Sequence, residues 1–188
     1  WNTNLFEMDV SELQFAVVAL LTDLGLLAEF QISRNTMLNF LEVVANSYLP
    51  KSEIPYHNFY HGFNVFQVCT IMIHDTHLSD HLERCDILAL LLGSICHDIG
   101  HKGVNNQFHK AMYRKDPILP QLALTYNNAS VLENMHCSKA FKITTEEGCN
   151  IFSKLTKAKE FEVRRMMIKG ILATDMEFHF SHVKKLQS

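Results

Sequence analysis

The apolar run that begins at Ile87 and continues through Leu88, Leu91, Leu92 and Ile95 ends on His97-Asp98-Ile99-Gly100-His101. Side chains that apolar belong to a buried segment, so the chain delivers a carboxylate to the edge of its own core. An ionised Asp is costly to bury unpaired, and the fold must bring it a partner. An earlier run, Tyr56-His57-Asn58-Phe59-Tyr60-His61, supplies two imidazoles whose spacing lets them share a helix face. A fold that joins the two runs satisfies Asp98, and metal coordination is the compensation that suits His and Asp together.

Around these runs the periodicity is helical nearly throughout. Phe15, Val18, Ala19 and Leu21 recur at helix spacing, with Ser11 as the expected cap and Gly25 as a stop or kink. A second helix should open near Ser33, carry Met37, Leu38, Leu41 and Val44 inward, and end before Pro50. Ser52 to Tyr56 reads as a loop that delivers the first histidine run. His61 to Ile73 reads as a buried helix, and Ser79 is the expected cap of the next, which runs to His97. Gly100, Gly103, Pro117 and Pro120 break the stretch that follows into short helices and loop. Ser130 to Ile143 and Phe161 to Asp175 are expected helices, with one more over Met176 to Leu186 after a bend. No alternating strand pattern or hairpin signal stands out, so the expected fold class is all-α, in one domain or part of one.

The chain's 188 residues, 47% of them hydrophobic, suffice for one sizeable core. Its net charge of −3, without any run of Lys and Arg, argues against a nucleic-acid groove. An anionic small molecule remains compatible, because bound dications add positive charge that the formal count omits. Cys69, Cys85, Cys96, Cys137 and Cys149 are odd in number and lack CxxC spacing. They read as reduced thiols in an intracellular, cytoplasmic protein. No apolar run approaches the ~18 residues of a membrane span. The chain begins at Trp1 with neither an initiator Met nor a signal-like segment, and reads as an excised piece of something longer.

One oxygen of Asp98 can face a first metal while its partner oxygen faces a second, an arrangement that clamps a phosphoryl group and makes hydroxide near pH 7. A two-metal phosphohydrolase is therefore the expectation. His74, His77, His81, His109 and His182 read as ordinary surface or core histidines. Met135, Cys137, Phe141, Met166 and Met167 read as core, since helical spacing predicts their burial without any cofactor. Ser130-x-x-Glu133 makes a good capping box, in which Glu133 would bond only backbone.

Tyr56-His57-Asn58-x-x-His61, followed by His97-Asp98-x-x-His101-x-Gly103-x-x-Asn106, resembles the signature of class I cyclic nucleotide phosphodiesterases. The resemblance continues in Tyr126-Asn127, Ser130-Val131-Leu132-Glu133-Asn134 and Leu172-Ala173-Thr174-Asp175-Met176. Thr22-Asp23-Leu24-Gly25-Leu26 and Cys149-Asn150-Ile151-Phe152 look most like the type-9, cGMP-preferring branch. The resemblance implies a compact multi-helix, HD-type catalytic domain, of which residues 1–188 are the N-terminal and middle portion. It implies His61, His97 and Asp98 as zinc ligands, and Asp98 as the bridge to a second metal, Mg²⁺ or Mn²⁺. His57 matches the general acid that protonates the departing ribose O3′. His101 and Glu133 match groups that hold water on the second metal, with Thr174 beside them, and Glu133 also matches a catalytic role in orienting His57 or the bridging hydroxide. Tyr56, Asn58, Asp175 and Met176 match residues that line or brace the substrate pocket. With the resemblance, the metal-site role of Glu133 is favoured over the capping box, and Asn128 or Ser130 would cap alone.

The implied substrate is a cyclic nucleotide, cGMP or cAMP, opened to the 5′-monophosphate. The implied partners include no nucleic acid, and a homodimer through the catalytic domain or regulatory regions is compatible. The family's further zinc-ligating Asp and its purine-binding Gln fall beyond Ser188, so the 188-residue chain by itself is expected to be weak or inactive. Gly100, where many relatives carry an acid, and Met135, where a His is common, are the departures within the matched motifs. Two other readings use the same residues: a different HD-type phosphohydrolase, and a catalytically silent module that binds a nucleotide or a partner helix.

Overall fold

The computed structural model describes residues 7–112 and 121–187, apart from the His182 side chain, so Pro117, Pro120 and the reading of His182 lie outside the described residues. Ten α-helices carry the described chain: α1 (Val10–Asp23), α2 (Leu26–Glu29), α3 (Arg34–Ser47), α4 (Phe59–Asp75), α5 (Arg84–Cys96), α6 (Asn106–Met112), α7 (Leu122–Thr125), α8 (Val131–Ile143), α9 (Lys157–Leu172) and α10 (His179–Leu186). Short 3₁₀ turns sit at His77–His81 and Met176–Phe178, and no strand occurs among the described residues.

The centre of the fold is α5. Every residue from Ile87 to Cys96 except Leu90 is buried, because α5 lies between α9 on one side and α4 on the other. A helix covered on several faces cannot be amphipathic, which explains its unbroken apolar run. Around it, Leu13, Val17 and Leu21 of α1, Met37, Phe40 and Leu41 of α3, and Val163, Met167 and Ile171 of α9 close one continuous core. Gly25, in the left-handed region at φ 73°, separates α1 from α2 as a chain break of that kind requires.

Several helix starts differ from the expected ones, each for a capping reason. Asp9 rather than Ser11 caps α1: its carboxylate accepts the Glu12 N–H at 2.9 Å, and Glu12 accepts the Asp9 N–H at 2.7 Å. Glu83 and Asp86 make the same reciprocal pair at the head of α5, while Ser79 lies inside the 3₁₀ turn. α9 begins near Lys157 because the Thr156 hydroxyl accepts the Lys159 N–H at 3.3 Å. It ends at Leu172, and Asp175 opens the next turn by accepting the Glu177 N–H at 2.9 Å. Phe15 and Ala19 lie on the exposed side of α1, whose buried face is one residue out of step with them.

Leu92, 1% exposed on α5, tests this arrangement. Leu92→Ala should cost about 2–5 kcal/mol of stability in urea unfolding, because close neighbours on both flanks cannot collapse into the space. A cost under ~1 kcal/mol would contradict a central α5.

Candidate active site

α5 hands its last buried turn directly to the chemistry. His97 is its C-cap, and the ring Nδ1 donates to the Ser94 carbonyl at 2.7 Å. A carbonyl can only accept, so in the neutral ring Nε2 is left with its lone pair. Gly100 and Gly103, both at φ 78°, then turn the chain back toward the cavity. His61 arrives from the first turn of α4. Asn58 caps that helix by accepting the Tyr60 N–H at 3.0 Å, and its amide donates to the carbonyls of Ile54 and Pro55 at 2.9 and 3.1 Å. The loop before α4 is thereby tied down, and His57 with it.

His61 Nε2 lies 3.1 Å from His97 Nε2 and 3.3 Å from Asp98 Oδ2, and His97 Nε2 lies 3.2 Å from that same oxygen. Burial raises the Asp98 carboxyl, but hydrogen bonds from His61 and His97 outweigh it and hold the group well below the usual carboxylate range. Burial lowers the His97 imidazole, and the Asp98 hydrogen bond and charge reverse the direction. The three ligand atoms converge within 4.8 Å of one another, a set able to hold a divalent ion.

The other oxygen of Asp98 faces His136, a residue that spacing alone left without a role. His136 is 1% exposed, donates from Nδ1 to the Ile99 carbonyl at 2.8 Å, and places Nε2 3.7 Å from Asp98 Oδ1. Burial takes its pKa down to about 4, so at neutral pH two lone pairs face each other across that gap. A cation between them relieves the repulsion, and the donor chemistry therefore fits the metals that the sequence implies. Glu133 and His136 are three residues apart on α8, which is the sequence signal for a shared face.

A cavity of about 840 Å³ gathers Tyr56, His57, His61, His97, Asp98, His101, Glu133, Thr174, Asp175 and Met176 on one lining, joined by Asn106 and His136. His57 stacks on His101 with ring centroids 3.9 Å apart and planes at 19°. His101 accepts the Gly103 N–H on Nδ1 at 2.9 Å, and burial, with the neighbouring His57, lowers it to about 4. The neutral ring therefore offers Nε2–H as a donor. Burial also lowers His57, against the opposing charge of Asp98.

Glu133 is 9% exposed, and its carboxyl is raised by burial and by the charges of Asp175 and Asp98 against the Asn106 hydrogen bond. Ser130 sits in the left-handed region at φ 38° and makes no side-chain cap bond, which overturns both the capping box and a cap by Ser130. Asn128 is left-handed too, at φ 61°.

Asp175 is buried, and its Oδ2 has no hydrogen-bond partner among the described residues. The Thr174 hydroxyl donates to the Ile171 carbonyl at 2.7 Å. Tyr56 and Met176, 64% and 70% exposed, stand at the rim. Asn58 is not on the lining, and it acts as the cap described above. His74, His77 and His81 are exposed, whereas His109 is buried and its Nε2 has no hydrogen-bond partner among the described residues.

Residues 56–188 match the family model described as 3′,5′-cyclic nucleotide phosphodiesterase. The chain is 34% identical over its full length to the 3′,5′-cyclic-nucleotide phosphodiesterase regA of Dictyostelium discoideum, covering 23% of that protein. It is 39% identical over 84% of its length to the high affinity cGMP-specific 3′,5′-cyclic phosphodiesterase 9A of Pan troglodytes, covering 25% of that protein. The crystal structure of the phosphodiesterase domain of a rhodopsin–phosphodiesterase fusion from Salpingoeca rosetta superposes with a TM-score of 0.89 at 28% identity. That match covers the whole chain and 56% of the solved one. The chain thus spans about a quarter of these two curated relatives and just over half of the solved domain.

Cobalt(II) titration reads the triad directly. Asp98→Asn should weaken Co²⁺ binding by more than the ~10–100-fold that loss of an orienting partner produces. Unchanged affinity would remove Asp98 from the ligand set.

Proposed function

This chain belongs to the 3′,5′-cyclic nucleotide phosphodiesterase family, and we propose that the protein carrying it hydrolyses the 3′ phosphoester of cGMP or cAMP to give the 5′-monophosphate. The observation that carries the reading is one cavity holding two kinds of imidazole: His61 and His97 converged on Asp98, and His57 stacked against His101 beside them. A binding module has no need of the second kind.

His61, His97 and Asp98 would hold Zn²⁺, and the far oxygen of Asp98, with His101, Glu133 and Thr174 nearby, would face Mg²⁺ or Mn²⁺. Bound there, the dications would supply Lewis acidity toward phosphoryl oxygens and bring the pKa of water toward neutrality. The protein's own groups do the rest. As the oxygen of a water molecule adds to phosphorus opposite O3′ and gives up a proton to solvent, the P–O3′ bond breaks and His57, in its protonated form, gives its proton to O3′, which spares the release of an alkoxide. His101 presses on the His57 ring and limits its rotation. Glu133 and Asp175 set the polar wall, while Tyr56 and Met176 offer aromatic and apolar surface at the mouth for a purine.

The assay belongs on a protein long enough to contain the whole domain, since the chain spans 56% of the solved one. cGMP is the first substrate to test, with cAMP beside it. A chelator should abolish turnover, and Zn²⁺ with Mg²⁺ should restore it. His57→Gln should lower kcat by ~10²–10⁴-fold while Co²⁺ still binds. Stoichiometric metal without hydrolysis of either nucleotide would favour the silent module, and a His57→Gln enzyme with full kcat would remove the assigned acid.

A further inference from the structure

α8 opens in a way that leaves its first turn short of partners. Ser130 stands at φ 38° and gives no side-chain cap, yet the first N–H groups of any helix need acceptors. One is met from another element: the Leu132 N–H donates to Asn106 Oδ1 at 2.8 Å, from the first residue of α6. The same amide donates from Nδ2 to Glu133 Oε2 at 2.9 Å. Its orientation is settled by chemistry, since a backbone N–H can only donate and an ionised carboxylate can only accept.

We propose that Asn106 is a positioning residue that holds the Glu133 carboxylate at the cavity wall. The inference rests on the phosphodiesterase reading for its kinetic consequence, though not for the pairing itself. Burial, with Asp175 and Asp98 as electrostatic neighbours, gives Glu133 every reason to turn away from the cavity. Asn106 is the side-chain donor that the described residues provide against this, and it leaves the second carboxylate oxygen for the cavity. Because one planar amide grips two consecutive residues of α8, it also sets the register between the loop after His101 and the helix carrying Glu133 and His136. Only a side chain with an acceptor and a donor at this reach serves both bonds. Asp keeps the acceptor alone, Ser is too short, and Leu supplies neither.

Asn106→Asp separates positioning from capping. The new carboxylate still accepts the Leu132 N–H near a helix N-terminus, where negative charge is favourable, but it faces Glu133 with no donor. In the full enzyme kcat should fall about 10- to 100-fold, the range for loss of an outer-shell partner, with KM within about threefold and Co²⁺ affinity unchanged. Asn106→Asp combined with Glu133→Gln restores the bond with its polarity reversed. Its urea midpoint should exceed that of Asn106→Asp alone, although turnover stays low because the carboxylate has changed places. An active parent whose Asn106→Asp variant keeps full kcat overturns the inference, as does a double variant no more stable than Asn106→Asp. A parent inactive on both nucleotides would instead sink the phosphodiesterase reading, and the stability comparison would still decide the pairing.

Discussion

The placing of Asp98, its side chain only 14% exposed, just past the end of an apolar helix is the constraint on which the rest of the site depends. A carboxylate there is tolerable only if its lone pairs are occupied. The fold meets the demand at one oxygen by bringing α4 against α5, so that His61 and His97 reach it, while α8 sets neutral His136 3.7 Å from the other, a pair of lone pairs that only a cation would join. The rings are aimed by what they donate to: Nδ1 of His97 to Ser94 and Nδ1 of His136 to Ile99. Both carbonyls belong to the helix or loop that presents Asp98 itself. Ligand geometry is thereby built into the backbone of the core, where it is costly to disturb.

The cavity divides into a rigid floor and an open rim. The floor is α5 with the head of α4, packed within the main core, and the buried head of α8. At the rim, Tyr56 and Met176 are largely exposed, and α6 is joined to the turn at Met176–Phe178 by a Lys110–Glu177 pair at 3.2 Å. An exposed pair of that kind contributes little to stability. The His61, His97 and Asp98 cluster thus sits on the packed side of the cavity and the exposed Tyr56 and Met176 on its open side.

Much of this was legible without coordinates. The helix count over the long periodic segments, the breaks at Gly25, Gly100 and Gly103, the Ser33 cap and the burial of Met135, Cys137, Phe141 and Met167 follow from periodicity and turn chemistry. Family membership and the all-helical class also agree with the motif reading. Where the reading slipped, several plausible caps stood close together, and side-chain reach decided among them: Asp9 over Ser11, the Glu83–Asp86 pair over Ser79, Thr156 well ahead of Phe161. Glu133 is the sharpest instance. Its spacing from Ser130 is right for a capping box, but the left-handed Ser130 backbone turns the hydroxyl away, and an amide from α6 takes over.

The sequence by itself singled out the side chains that the fold gathers on one cavity, because an apolar helix leading to Asp98 demands compensation and the His and Glu spacings offer it. Tertiary structure decided how they are shared. It alone assigned His136 to the far side of Asp98 and joined Asn106 to Glu133. The reason is range: periodicity and capping act over a few residues, whereas these contacts link positions some 25 to 40 apart, and packing around α5 is what brings them together.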